Sequence, residues 1–96
     1  MKRQDAQPVR AFMDAYFEAM GLKEQINQAR VKLQWKTTMG PVITRKTTQL
    51  SIKNKVLYVS LSSPALRKEL LYQREKLVAM LNQSVGDTVI EDIVFQ

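Results

Sequence analysis

Residues 48–61 read TQLSIKNKVLYVSL, two runs of alternating side chains joined at Asn54-Lys55. The even positions Thr48, Leu50 and Ile52 are apolar or β-branched, and so are the odd positions Leu57, Val59 and Leu61. Successive strand side chains point to opposite faces, so both sets share a face only if the loop holds an even number of residues. A two-residue turn at Asn54-Lys55 meets that condition and sets Ile52 opposite Leu57 and Leu50 opposite Val59. The other face then collects Arg45, Thr47, Gln49, Ser51, Lys53, Tyr58 and Ser60. A hairpin with one dry face requires a second layer to cover it.

The flanking segments supply helices. Val9, Phe12, Met13, Tyr16, Phe17 and Met20 recur at three- and four-residue spacing, which predicts a first helix with a broad apolar stripe. Asp5 is its expected N-cap, Pro8 falls in its first turn and Gly21 closes it. A second helical pattern follows with Leu22, Ile26, Ala29 and Leu33 as the apolar stripe and Lys23, Gln25, Asn27, Gln28, Arg30 and Lys32 outside. That outer face has the donors and acceptors that read base edges, and a plain solvated surface has the same composition. The helix should stop near Met39-Gly40-Pro41. Beyond the hairpin, Ser63 as N-cap and Pro64 at the first position open a third helix. Leu66, Leu70, Leu77 and Leu81 form its buried stripe, supported by Leu71, Val78 and Met80, and it exits at residues 82–86. A last strand over Val89–Phe95 turns Val89, Ile93 and Phe95 inward, with Glu91 the misfit on that face. The expected class is α+β: one domain over residues 1–96, order α-α-β-β-α-β, a three-stranded sheet with helices on one face, and residues 1–21 as an additional N-terminal helix.

Charge is the strongest functional signal. Between Glu24 and Glu69 there is no acidic residue, yet nine basic ones occur: Arg30, Lys32, Lys36, Arg45, Lys46, Lys53, Lys55, Arg67 and Lys68. The net charge of the 96-residue chain is +6. Small domains usually intersperse both signs, so a one-signed block points to a polyanion, most often nucleic acid phosphate.

The same inventory argues against several classes. With no histidine and no cysteine, disulfides and imidazole or thiolate metal sites are absent, and so are the commonest catalytic bases and nucleophiles. Gly21, Gly40 and Gly86 share no phosphate-binding motif. Asp87, Glu91 and Asp92 offer carboxylates for magnesium, although a turn and a strand edge account for them as well. The expectation is a non-enzyme without cofactor, metal or small-molecule substrate. No apolar run is long enough to cross a bilayer, and Met1-Lys2-Arg3-Gln4-Asp5 leads into no apolar export segment, so the expected setting is the cytoplasm, away from membranes.

Several marks fall in a recognisable order: Trp35, Gly40, Thr47, Leu50-Ser51-Ile52, Leu57-Tyr58-Val59, Ser62-Ser63, Glu69-Leu70, Leu81-Asn82 and Ile90-Glu91-Asp92-Ile93. Over about Leu22 to Phe95 the chain resembles the DciA family of bacterial proteins. That resemblance implies a KH-like domain, DNA binding and a role in operating or loading the replicative DnaB-type helicase. The α-β-β-α-β portion read from periodicity matches a KH-like core. The chain departs from the family in having Asn54-Lys55 where Asn-Gly is common, and Thr38-Met39 where a small β-branched pair is usual. Many relatives carry a basic extension, and this stretch ends at Gln96, which implies modest autonomous DNA affinity. It has no GxxG loop, so the phosphate clamp of RNA-binding KH domains is not expected.

The candidate nucleic-acid-binding residues are therefore Arg45, Lys46, Lys53, Lys55, Arg67 and Lys68, with Tyr58 for base stacking. Trp35, Arg30 and Lys36 are candidates for contact with a protein partner, while a lone Trp ending an amphipathic helix also reads as a core anchor. Three functions stay open: a helicase-loading adaptor that binds DNA, a general KH-like or winged-helix-like nucleic-acid module, and an interaction domain for an acidic protein. A long helix after the hairpin speaks against the winged reading, since a wing normally ends such a domain.

Overall fold

Thr47–Lys53 (β1) and Val56–Leu61 (β2) pair antiparallel, with Leu50 opposite Val59 and Ile52 opposite Leu57. The turn between them is Asn54-Lys55, both at positive φ (53° and 64°), the left-handed pair of a type I′ turn. The computed structural model describes the backbone from Arg3 to Gln96 and side chains from Pro8 onward. Its elements run α1 (Arg3–Ala19), α2 (Lys23–Lys46), β1, β2, α3 (Pro64–Leu71), α4 (Arg74–Val85) and β3 (Asp92–Phe95). The strand order is β1-β2-β3, with β3 parallel to β2. The expected α+β class and three-stranded sheet are present. The order matches the KH-like plan roughly, with one helix more than expected.

The core lies between the sheet and α2, α3 and α4. Leu57, Val59 and Leu61 of β2 are buried, as are Val31 and Trp35 of α2, Leu70 of α3, Leu77, Leu81 and Val85 of α4, and Ile90 and Ile93. Leu50 and Ile52 pack against this cluster from β1. The opposite sheet face, with Ser51, Lys53, Tyr58 and Val94, carries no helix contacts among those that build the core. One irregularity alters the expected hairpin. The pairing shifts between Thr47 and Gln49, and the extra residue reverses the alternation upstream of it. Thr48 is therefore exposed rather than on the dry face, and Thr47 turns toward the core rather than the polar face. Its hydroxyl accepts a hydrogen bond from Trp35 Nε1 at 3.2 Å and donates to the Ile43 carbonyl at 2.8 Å.

The helices depart further from expectation. α1 begins at Arg3, so Asp5 lies inside it instead of capping it, and its side chain is outside the described residues. Pro8 is likewise within the helix rather than in its first turn. Gly21 (φ 74°) ends α1 as expected: Leu22 N–H reaches the Phe17 carbonyl (2.8 Å) and Gly21 N–H that of Glu18 (3.0 Å), a Schellman closure that needs the left-handed conformation. The buried stripe of α2 is Asn27, Val31 and Trp35. Leu22 (39%) and Leu33 (61%) are exposed instead. α2 does break at Gly40 (φ 83°, ψ 173°), yet Pro41 restarts the helix, which continues to Lys46. The Thr44 hydroxyl bridges the break by donating to the Lys36 carbonyl at 3.2 Å. Arg45 and Lys46 therefore belong to a helix end and not to the hairpin.

The third expected helix is two. Ser63 caps α3 by accepting from Leu66 N–H at 3.2 Å, but the chain breaks at Tyr72-Gln73 before α4 starts. Leu71, expected to support the core, is 49% exposed. The final strand is shorter than expected because residues 88–91 are held by Asn82. Its side-chain carbonyl accepts from Val89 and Ile90 N–H (2.9 and 3.1 Å), and its amide donates to the Ile90 carbonyl (2.8 Å). That clamp buries Ile90 completely and leaves Glu91 outside, which removes the expected misfit.

Three outcomes follow for stability, each measured by chemical denaturation. Leu57→Ala costs about 2–5 kcal/mol through lost burial and a residual cavity. Asn82→Ala costs about 1–3 kcal/mol because it leaves backbone groups of the 88–91 segment unpaired. Lys55→Gly stabilises by about 0.5–1 kcal/mol, since glycine adopts the left-handed turn position without strain.

Candidate nucleic-acid interface

The block of basic residues, continuous in sequence, divides in space. β1 spans seven residues, roughly 23 Å at the rise of an extended strand. It separates Arg45 and Lys46 at one end of the hairpin from Lys53 and Lys55 at the other.

At the first end, the chain entering β1 meets the chain leaving β2. The Lys46 carbonyl accepts from Ser62 N–H at 2.9 Å and from the Ser62 hydroxyl at 3.4 Å. Arg67 is tied to the same end, since its Nη1 donates to the Leu61 carbonyl at 2.7 Å. Part of its donor capacity is thereby spent on the fold. Arg45, Lys46 and Lys68 are exposed and make no ion pair among the described residues. Beside this end, a groove of about 190 Å³ runs between α2 and β1. β1 is an edge strand, so one row of its backbone groups has no strand neighbour. The groove is lined by Lys32, Lys36, Thr44, Thr48, Gln49 and neighbouring residues, with no carboxylate. Lys32, Thr44 and Thr48 were not among the expected site residues. The break at Gly40, which Gly40-Pro41 signals, and the irregular pairing at Thr48, which no motif signals, bring them onto one wall.

The hairpin tip is electrically different. Lys55 Nζ lies 4.0 Å from Glu91, and the cavity of about 200 Å³ beside it includes Lys23, Glu24 and Asp87. Acids far away in sequence therefore return to the tip and dilute its charge, while Lys53 stays exposed. Tyr58 is half-buried on the open sheet face, between Ser51 of β1 and Val94 of β3.

The residues expected to meet a protein partner fare unequally. Trp35 is fully buried, stacks obliquely near Phe95 with ring centroids 6.2 Å apart, and cannot present a surface. Its burial follows from the α2 stripe on which it sits. Arg30 is mostly covered and bonds Asp14 at 2.9 Å, joining α1 to α2. Lys36 remains exposed at the groove. The expected base-reading face of α2 is also dismantled. Asn27 is buried and donates to Asp87, Lys23 lies 3.8 Å from Asp87, and Arg30 is committed to Asp14.

Carboxylates serve the fold individually. Asp87 partners Asn27 and Lys23, Glu91 partners Lys55, and Asp92 lies 3.2 Å from Arg74. Asp14 holds α1. Its carboxyl lies below the usual value of 3.8, chiefly because Arg30 donates a hydrogen bond to the ionised form; burial opposes this, and the charges of Arg30 and Arg10 add to the lowering. On the same side of α1, Arg10 bonds Asp14 through Nε at 3.2 Å, and its Nη2 donates to the Val85 carbonyl at 2.8 Å.

A depressed folded pKa contributes stability above the unfolded value, and that contribution is lost as pH falls through the folded one. The stability gap between the wild type and Asp14→Asn is therefore full at neutral pH. It closes as pH drops below 3.8 toward the lower folded value, as thermal melts across that range will show.

The family model described as "Dna[CI] antecedent, DciA" matches residues 8–95 of the chain. No curated protein matches it.

Proposed function

Because the chain belongs to the DciA family, whose role is of the DnaB-helicase-loader type in replication, we propose that it is a non-enzymatic adaptor that binds DNA and the replicative helicase together. The observation that carries the DNA part is the carboxylate-free groove beside an unneutralised cationic end. Lys32 and Lys36 line the groove, and Arg45 and Lys46 flank it at the start of β1. Arg67 and Lys68 extend the positive surface from α3. Such a surface attracts phosphate without reading sequence, because backbone contacts carry affinity and base-edge contacts carry specificity. Tyr58 on the open sheet face is the aromatic available for stacking on an unpaired base.

The division of the basic block ranks the contributions. Lys53 and Lys55 belong to the proposed contact surface, but Glu91 sits beside Lys55 and weakens the field at the tip. The opposite end has no such counter-charge among the described residues, so it is the principal DNA contact.

Helicase binding rests on the family. The adaptor reading requires that one chain hold DNA and helicase at once, which raises the local concentration of helicase on single strands without nucleotide chemistry. Two competing readings, a nucleic-acid module without a helicase and a domain for an acidic protein, are separated by the same experiments.

Binding to single-stranded and duplex DNA, followed by fluorescence anisotropy over a salt series, will weaken linearly on a log–log scale. Each phosphate engaged contributes about −0.9 to the slope on duplex and about −0.7 on single strands. Charge reversal at Arg45 and Lys46 lowers affinity on all sequences alike and flattens the slope. Reversal at Lys53 and Lys55 has the smaller effect. Equal affinity before and after the Arg45/Lys46 reversal removes that end from the interface. With the organism's own DnaB-type helicase, the chain co-elutes as a complex and increases helicase retained on single-stranded DNA. DNA binding without complex or stimulation leaves the simple nucleic-acid module, and neither activity leaves the acidic-partner reading.

A further inference from the structure

Most of the two apolar stripes that announce the first two helices is left uncovered. On α1, Val9 is 62% exposed, Phe12 69%, Tyr16 51% and Met20 58%. α2 adds Leu33 at 61%, three residues beyond Arg30, the residue that anchors α1. What faces the body from α1 is instead the arc of Arg10, Asp14 and Phe17, held by Arg10 to the Val85 carbonyl and by Asp14 to Arg30. The helix is thus fastened along a largely polar edge and turns its apolar arc outward. The radius of gyration, 14.7 Å, exceeds the value of about 12.5 Å expected for a compact chain of this length, as a projecting helix requires.

We infer that this face is the contact surface for a second copy of the same chain, with α1 packed antiparallel on its counterpart about a two-fold axis between Phe12 and Tyr16. Three observations select that occupant. The exposed apolar area of the α1–α2 stripe is on the order of 700 Å² per copy, so two copies bury roughly 1,400 Å², within the standard range for a stable interface. The stripe at 9, 12, 16 and 20 is helical in spacing, which suits another helix rather than a strand or nucleic acid. An isologous contact of this kind closes as a dimer and goes no further. Finally, the chain carries +6 overall, yet Arg3–Ala19 holds two bases against three acids. Two copies therefore meet through the one face that does not repel, and their cationic ends remain free. The inference stands independently of helicase or DNA binding.

The full chain at about 100 µM, where a micromolar Kd is visible, should sediment as a dimer. Phe12→Glu should sediment as a monomer with unchanged circular dichroism and melting temperature, because Phe12 is already exposed in the fold. The chain has no cysteine, so introduced thiols report geometry cleanly. A mixture of Val9→Cys and Met20→Cys proteins should form the mixed disulfide faster than either forms its own. A monomeric wild type overturns the inference, including when Phe12→Glu abolishes helicase binding, which would assign the face to that partner. A dimer that survives Phe12→Glu overturns it by moving the contact elsewhere. Self-linking of Val9→Cys as fast as the mixed reaction overturns the antiparallel arrangement.

Discussion

The fold turns on Trp35. Its indole is fully buried, its Nε1–H donates to the Thr47 hydroxyl, and its ring meets Phe95 at the end of β3. One side chain thereby links the middle of α2, the first residue of β1 and the last strand. Burying an indole is favourable only when its N–H finds a partner. That partner exists because the shifted pairing near Thr48 turns Thr47 inward. The shift, the kink at Gly40 and the orientation of α2 are therefore coupled. An α2 rotated to bury Leu22 and Leu33 would carry Trp35 away from Thr47 and leave β2 uncovered.

Folding also rewrites the electrostatics. In sequence the cations form one acid-free block, which suggests one surface. In space the residues after Val85 bring Asp87 and Glu91 to the hairpin tip, where they meet Lys23 and Lys55. Among the described residues, no carboxylate pairs with Arg45 or Lys46 at the start of β1. A charge pattern along the chain therefore identifies the class of partner, while the placement of a few distant carboxylates decides which end can act.

α1 illustrates a different balance. It is held by exposed or half-exposed polar contacts that are individually weak, while its aromatic arc lies in water. The same residues that look like core in a helical wheel are the least protected part of the molecule. The reason is capacity: three short strands and three helices already close the core, and of the apolar arc on α1 only Phe17 turns toward the body, beside Ile26 and Val85.

The hairpin register, its Asn54-Lys55 turn, the Ser63 cap and the α+β class were all legible in the residues, because strand alternation admits few solutions and caps use specific side chains. The order of family marks was legible in the same way. The helix faces were not. α2 carries two stripes, Leu22-Ile26-Ala29-Leu33 and Asn27-Val31-Trp35, and local spacing cannot rank them. The contact with β2 and Thr47 does so, at the cost of burying Asn27 and exposing Leu33. Likewise Ile90 and Glu91 could be assigned inward or outward only once Asn82 had fixed the chain between α4 and β3. The sequence by itself determined the hairpin with its turn, the sheet's dry face and the sign of the charge. Tertiary structure decided which helix face is dry, which cations escape neutralisation and which apolar stripe remains open, because each depends on residues far apart in the chain competing for one limited core.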